Sequence, residues 1–347
     1  MKIIGCDFHQ SYQQIAVLDQ GTGEMVEKAL SHQRKEEVQA FYAGLEGPVR
    51  VGIEASGQSQ WFERMLVELG HEVWIGDAAK IRASEVRHQK HDRRDAQLLL
   101  RLLVEGRFPR LWTPSSEQRD LRQLLLHRHK LVRMRAQVKN ELQHLALNQG
   151  LQKKRRLWSE AGQKRLQALS LPPWAGQRRE DLLRLLALLD EQIEPLDQAV
   201  EQAAARDAHA RLLLTQPGVG PVTALAFVLT LGDVSRFPRG KQVASYLGLI
   251  PREYSSGGQQ RLGSISKQGN RLMRQWLVEA AQSAVRYDPQ FRSEYLHRCH
   301  QKPRGVAKVA AARKLAIRLY WMLRTRTPYP QIVRTESSPR VPLVGAS

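Results

Sequence analysis

The chain has 347 residues, 42% of them hydrophobic, which is enough for one large domain or two to three ordinary ones. Its 54 Lys and Arg against 34 Asp and Glu leave a formal net charge of +20, spread along the chain rather than gathered in a tail, and that balance favours a polyanionic partner, nucleic acid first. Two isolated cysteines, Cys6 and Cys299, argue against a disulfide framework or a structural zinc site, and no segment approaches 18 uncharged apolar residues, so an intracellular, cytoplasmic protein without a membrane partner is expected.

Residues 2–8 (KIIGCDF) read as a short buried strand and 12–19 (YQQIAVLD) as a second. The turn signal GTGE at 21–24 returns the chain as a third strand at 25–32. A helix follows around 35–45, then a strand at 49–55 (VRVGIEA). In SGQSQWFERMLVELG, Trp61, Met65 and Leu69 recur at helical spacing, and HEVWIGD at 71–77 is a further strand. A three-strand meander followed by alternating helix and strand is an α/β pattern.

From about 115 to 205 leucine dominates. Leu121, Leu124, Leu131, Val138, Leu142 and Leu145 fall on a heptad-like stripe, and Leu182, Leu186, Leu189, Ile193, Leu196 and Val200 continue at alternating four and three spacing. Two long amphipathic helices that pair, within the chain or between chains, are predicted, with LPPW at 171–174 as the break. Arg122, Arg128, Lys130, Arg133, Arg135 and Lys139 make the first helix basic, and the run Lys153, Lys154, Arg155, Arg156 follows it. These charges read either as a nucleic-acid-facing surface or as solvated helix. Beyond 211 come glycine-rich turns between apolar helices, a clear helix in GNRLMRQWLVEAAQSAVR and another at 305–323. The last twenty or so residues have the composition of a disordered tail.

Four carboxylates carry the first chemical hypothesis. Asp7 lies in an apolar strand, where an idle charge is rare. Glu54 ends another strand, with Asp77 as a competitor for its place. Asp92 and Asp95, in KHDRRDAQLLLRLL, are three apart and share one face of a helix. Carboxylates gathered in one pocket need a cation, and hard divalent ions accept all-oxygen ligation and serve phosphoryl transfer. An early strand Asp, a strand-end Glu and a later helical pair match the ribonuclease H-like arrangement. His9, His88 and His91 flank these positions and read as surface or supporting groups, with contact to phosphate or metal as the other reading. Lys90 and Arg94 could draw a DNA backbone to the cleft.

The second hypothesis is a loop. Gly218 and Gly220 in PGVGPVTA permit tight turning and close approach of backbone N–H groups to phosphate, in a form that resembles a helix–hairpin–helix, with a purely structural helix turn as the other reading; no GK[ST] follows, which excludes a nucleotide P-loop. In YSSGGQQRLGSISKQGNRLMRQWL, Ser255, Ser256, Gly257 and Gly258 form a polar loop followed by Arg261, Lys267, Arg271 and Arg274. A serine attacks phosphorus only when activated, with cations to stabilise the transition state. No local base is present, so on the residues alone a phosphate-contacting loop leads over a nucleophile.

Together the segments resemble the IS110-family (DEDD) transposases over nearly the whole chain. GCDFHQ, VGIEASG and KHDRRDAQLL are similar to that family's RuvC-like domain, and PGVGPVTALAF, FPRGKQVASYLGLIPREYSSGG and SISKQGNRLMRQWLVEAA to its transposase domain. The resemblance implies a RuvC-like DEDD domain at 1–112, a coiled-coil-like oligomerisation and nucleic-acid-binding region at 113–205, a mainly helical transposase domain at 206–325 with a helix–hairpin–helix-like segment, and a tail at 326–347. It places the acidic positions on Asp7, Glu54, Asp92 and Asp95, holding Mg²⁺ or Mn²⁺, and the serine on Ser256, with Ser255 as its neighbour. The family's lysine-threonine reads Lys90-His91 here. The resemblance further implies a bridge RNA, donor and target DNA, a covalent phosphoserine, and a homo-oligomer, dimer to tetramer, with composite active sites. Two other readings share some of the residues: a RuvC-like nuclease or invertase, which shares the carboxylates, and a non-catalytic nucleic-acid-binding protein, which leaves them unexplained.

Overall fold

The computed structural model describes residues 1–84, 92–151, 157–256 and 258–331. The chain divides into two compact units, Met1–Thr113 and Pro114–Ser347. In the first, strands β1 (Lys2–Phe8), β2 (Tyr12–Asp19) and β3 (Met25–Ser31) form the antiparallel meander, α1 (Lys35–Ala43) leads to β4 (Val49–Glu54), and α2 (Gln60–Glu68) leads to β5 (Glu72–Gly76). Helices α3 (Ala78–Ala83) and α4 (Asp92–Val104) complete it. The sheet order is β3-β2-β1-β4-β5, with β4 parallel to both β1 and β5. The strands therefore follow the sequence reading, while α3 carries too little apolar periodicity to be predicted.

Alternation along β1 assigns its residues to two faces. Ile4 and Cys6 join Val38, Tyr42, Phe62 and Leu66 in the core under α1 and α2. Ile3 joins Leu99, Leu102 and Leu103 of α4 on the other. Gly5 lies on that second face and is register partner to Gly52. A Cβ at Gly5 would stand 2.2 Å from the Ala96 carbonyl oxygen and 2.3 Å from the Leu100 nitrogen. The backbone of α4 thus rests directly on the backbone of β1.

In the second unit α5 (Ser116–Asn148) and α7 (Pro173–Arg206) are the two predicted long helices, and α6 (Glu160–Gln167) lies between them. A capping box of Ser115 and Gln118 starts α5. The pairing left open by the sequence occurs within the chain: Leu131, Val138, Leu142 and Leu145 pack with Leu186, Leu189 and Ile193. Ion pairs Arg128–Asp197, Arg135–Asp190 (3.0 Å) and Arg178–Glu141 (2.9 Å) show the antiparallel sense. Beyond, α8 (Ala208–Leu214), α9 (Pro221–Leu231) and α10 (Gly240–Tyr246) precede a two-stranded hairpin of β6 (Pro251–Glu253) and β7 (Leu262–Ile265), then α11 (Arg271–Tyr287), α12 (Pro289–Gln301) and α13 (Arg304–Thr325). Leu125 and Val200 from the long helices enter the core of α8, α9, α11 and α13. At the expected tail, the Tyr329 backbone N–H donates to Thr215 Oγ1 at 3.0 Å, and residues 332–347 lie outside the described residues. No helix among the described residues is long and apolar enough to cross a membrane.

The ion pair of Arg318 and Asp288, 3.2 Å apart, is fully enclosed, with side chains 0% and 1% exposed. Asp288 also accepts from the Phe291 N–H and caps α12. Asp288→Asn keeps a capping oxygen but removes the carboxylate charge facing the buried Arg318, so chemical denaturation should show a loss of about 3–5 kcal/mol. Gly5→Ala should cost roughly 2 kcal/mol or more, because the obstacle is backbone and cannot rotate away; a melt of the first unit within ~0.5 kcal/mol of the parent would refute the contact.

Candidate active site

The close approach at Gly5 positions the acidic groups. Asp7 lies two residues farther along β1, on the same face, about 6.6 Å on. Asp92 lies one turn before Ala96 in α4, about 6 Å back along the helix. The two offsets match, so the strand and helix carboxylates meet. His9 Nε2 stands 2.9 Å from Asp7 Oδ2 and 3.9 Å from Asp92 Oδ1. The Tyr12 hydroxyl donates to the other oxygen of Asp92, and the His9 ring stacks on Tyr12 with centroids 4.7 Å apart. Ligand atoms of Asp7, His9 and Asp92 all lie within 4.8 Å of one another.

The Asp7 side chain is only 14% exposed. Burial raises its carboxyl above the ordinary range; His9 opposes this, and the charges of Asp95 and Asp92 add to the rise. Asp95 is therefore in electrostatic reach of Asp7. Glu54 lies on the same face of the neighbouring strand, two residues after Gly52, and its carboxylate stands 3.7 Å from Arg82 Nη2. The tight group contains Asp7, His9 and Asp92, with Asp95 close and Glu54 turned to an arginine. Asp77, the competitor for Glu54, accepts from the Ala79 and Lys80 N–H groups and caps α3, a sufficient reason for an aspartate there. The donor set, carboxylates with one imidazole around a strained charge, fits a divalent cation. Tyr12 was missed in the sequence because no spacing relates it to Asp92; the β1–β2 register and the packing of α4 on the sheet bring the two together.

The serine loop is the connection of the β6–β7 hairpin, which the sequence reads as an irregular polar loop. Ser255 Oγ donates to Glu253 Oε1 at 2.7 Å and accepts from the Arg261 N–H at 3.2 Å. Ser256 is exposed, its carbonyl accepts from the Gln259 N–H at 3.1 Å, and its hydroxyl has no hydrogen bond among the described residues. Arg261 reaches Gln259 Oε1 (3.3 Å), while Lys267 and Arg271 line an open groove with Gln275 and Glu279. Arg274 instead donates to the carbonyls of Leu247, Gln268 and Gly269, a local brace.

Other basic expectations divide in the same way. On α5, Arg122 donates to the Leu229 carbonyl and Arg128 and Arg135 are paired to α7, while Arg133 is exposed. Arg94 is exposed on α4. Gly218, at φ 87°, presses against α11, where a Cβ would lie 2.2 Å from the Ala284 nitrogen; protein packing requires that glycine. Gly220 has open space beside it at the start of α9. His88, Lys90, His91, Lys153, Lys154, Arg155, Arg156 and Gly257 lie outside the described residues.

A five-stranded mixed sheet with an acidic cluster beside its central strand, followed by a helical region, is consistent with a ribonuclease H-like DEDD transposase. Family comparison agrees: residues 4–149 match a DEDD transposase model of the IS110 type and residues 210–296 the transposase IS116/IS110/IS902 family. A probable family 20 transposase of Pseudomonas aeruginosa is 32% identical over 93% of this chain and 96% of its own. The transposase for insertion sequence element IS1328 of Yersinia enterocolitica is 28% identical, over 80% of this chain and 84% of its own, and that for IS1111A of Coxiella burnetii 27%, over 83% and 79%. The chain belongs to the IS110 family of insertion-sequence transposases, and DNA is its substrate.

The repelled charge of Asp7 has a measurable consequence. In metal-free buffer at neutral pH, Asp7→Asn should melt no lower than the parent, because it removes a carboxylate that burial disfavours. Added Mn²⁺ should raise the melting temperature of the parent and leave the variant unchanged.

Proposed function

We propose that the protein cuts and rejoins DNA during transposition through a covalent phosphoserine, with Ser256 as nucleophile and Asp7, Glu54, Asp92 and Asp95 holding Mg²⁺ or Mn²⁺. The observation that carries the proposal is the convergence of Asp7 and Asp92 from distant segments, with Asp7 held against its own ionisation. A divalent cation there neutralises the carboxylates and stabilises charge developing on the phosphoryl group. The hydroxyl arrangement favours Ser256 over Ser255, whose oxygen is engaged by Glu253 and the Arg261 amide.

In the cleavage step the Ser256 Oγ–phosphorus bond forms and the bond from phosphorus to the leaving deoxyribose oxygen breaks. The serine proton is lost to a base and the leaving oxygen gains one. Attack by a hydroxyl from the exchanged strand reverses these changes and frees the serine. Arg261, Lys267 and Arg271 supply positive charge around the phosphate, and the α8–α9 turn at Gly220 contacts the DNA backbone in the manner of a helix–hairpin–helix. Arg94 and Arg133, with Lys90 and the run Lys153, Lys154, Arg155 and Arg156, provide further phosphate and RNA contacts. By family similarity the reaction is guided by a bridge RNA that pairs with donor and target DNA. It takes place in a homo-oligomer, dimer to tetramer, where the acidic site of one subunit serves the serine of another.

Suicide DNA substrates followed by denaturing gels test the chemistry. The parent and Ser255→Ala should yield a protein–DNA adduct, and Ser256→Ala none. Cleavage by Ser256→Ala at the parental rate would instead favour a nuclease that uses water.

A further inference from the structure

The four carboxylates assigned to the proposed metal site offer oxygen alone, yet an imidazole stands within 4 Å of both converging carboxylates. His9 Nε2 faces Oδ2 of Asp7 at 2.9 Å and Oδ1 of Asp92 at 3.9 Å. Ligands roughly 2.1 Å from one metal ion stand about 3 Å apart when adjacent and about 4.2 Å apart when opposite. The observed separations fall near that range. Two further contacts fix these donors. The Tyr12 hydroxyl occupies the remaining oxygen of Asp92, which leaves Oδ1 toward His9. The Tyr12 ring also lies against the His9 ring, inclined by 23°. Glu54, by contrast, is directed to Arg82.

We infer that His9 is a direct nitrogen ligand in this site, with Tyr12 as the positioning residue that orders both His9 and Asp92. The inference rests on the metal-site reading above and changes its chemistry. An imidazole donor suits first-row transition ions, whereas Mg²⁺ takes oxygen ligands and retains water. A mixed nitrogen and oxygen site therefore favours Mn²⁺ or a later dication over Mg²⁺.

Full-length protein stripped of metal and titrated with Mn²⁺ gives a direct readout. Electron paramagnetic resonance counts the bound ion, and electron spin-echo envelope modulation detects ¹⁴N coupled to it. The parent should show ¹⁴N modulation. His9→Gln should lose it and bind Mn²⁺ at least about tenfold more weakly, with a smaller loss for Mg²⁺. His91→Gln should keep the modulation, which separates His9 from the histidine beside Asp92 in sequence. His9→Asn provides the same comparison should the glutamine variant fail to fold. Tyr12→Phe should weaken Mn²⁺ binding while retaining the ¹⁴N signal. Modulation that survives in His9→Gln, Mn²⁺ bound without it in the parent, or equal losses for both ions would overturn the inference and leave His9 a hydrogen-bonding role. Asp7→Asn that bound Mn²⁺ like the parent would remove the metal-site reading itself, and the inference with it.

Discussion

The acidic site depends on one contact between two backbones. Gly5 in the central strand has no side chain, so α4 settles onto β1 with the Ala96 carbonyl where a Cβ would be. Any larger residue would lift the helix and move its first turn, which carries Asp92 and Asp95, away from Asp7. Packing density elsewhere on this face comes from Ile3, Leu99, Leu102 and Leu103. Those apolar residues supply the burial energy that holds α4 down, and burial of the same face raises the cost of ionising Asp7. Stability and the acidic cluster are therefore coupled: the contact that closes the core also brings the like charges together.

The second unit applies a different economy to its charges. A net charge of +20 suggests a surface offered to nucleic acid, yet several of the basic residues on α5 serve the fold. Arg128 and Arg135 set the register of the α5–α7 pair, and Arg122 covers the Leu229 carbonyl at the end of α9. Arg274 braces three carbonyls that would otherwise lie open in the turn before α11. Charge counted from sequence thus overstates the cation available to a phosphate. Lys267 and Arg271, in the groove beside β7, and the exposed Arg133 are better placed for that role.

The hairpin that carries the serines shows how local structure distinguishes neighbouring residues of the same type. Ser255 is drawn into the hairpin's own hydrogen bonds by Glu253 and the Arg261 amide, whereas the Ser256 hydroxyl is exposed at its end. A chemical difference between two adjacent serines arises from strand pairing, not from anything in the pair itself.

Periodicity in the sequence determined the strands of the first unit and the two long helices, because alternation and heptad spacing follow directly from which faces must leave water. It also singled out Asp7, since a charge inside an apolar strand needs a reason. The family was legible in the ordered combination of motifs along the chain. The tertiary structure alone decided which groups meet. Tyr12 reaches Asp92 through strand register and helix packing, His9 comes between two carboxylates, Asp77 is a helix cap, and Gly218 fits the backbone of α11. Sequence spacing carries no record of such contacts, because they depend on how separate elements dock. Docking is fixed by the shape of whole faces, down to a single missing Cβ at Gly5.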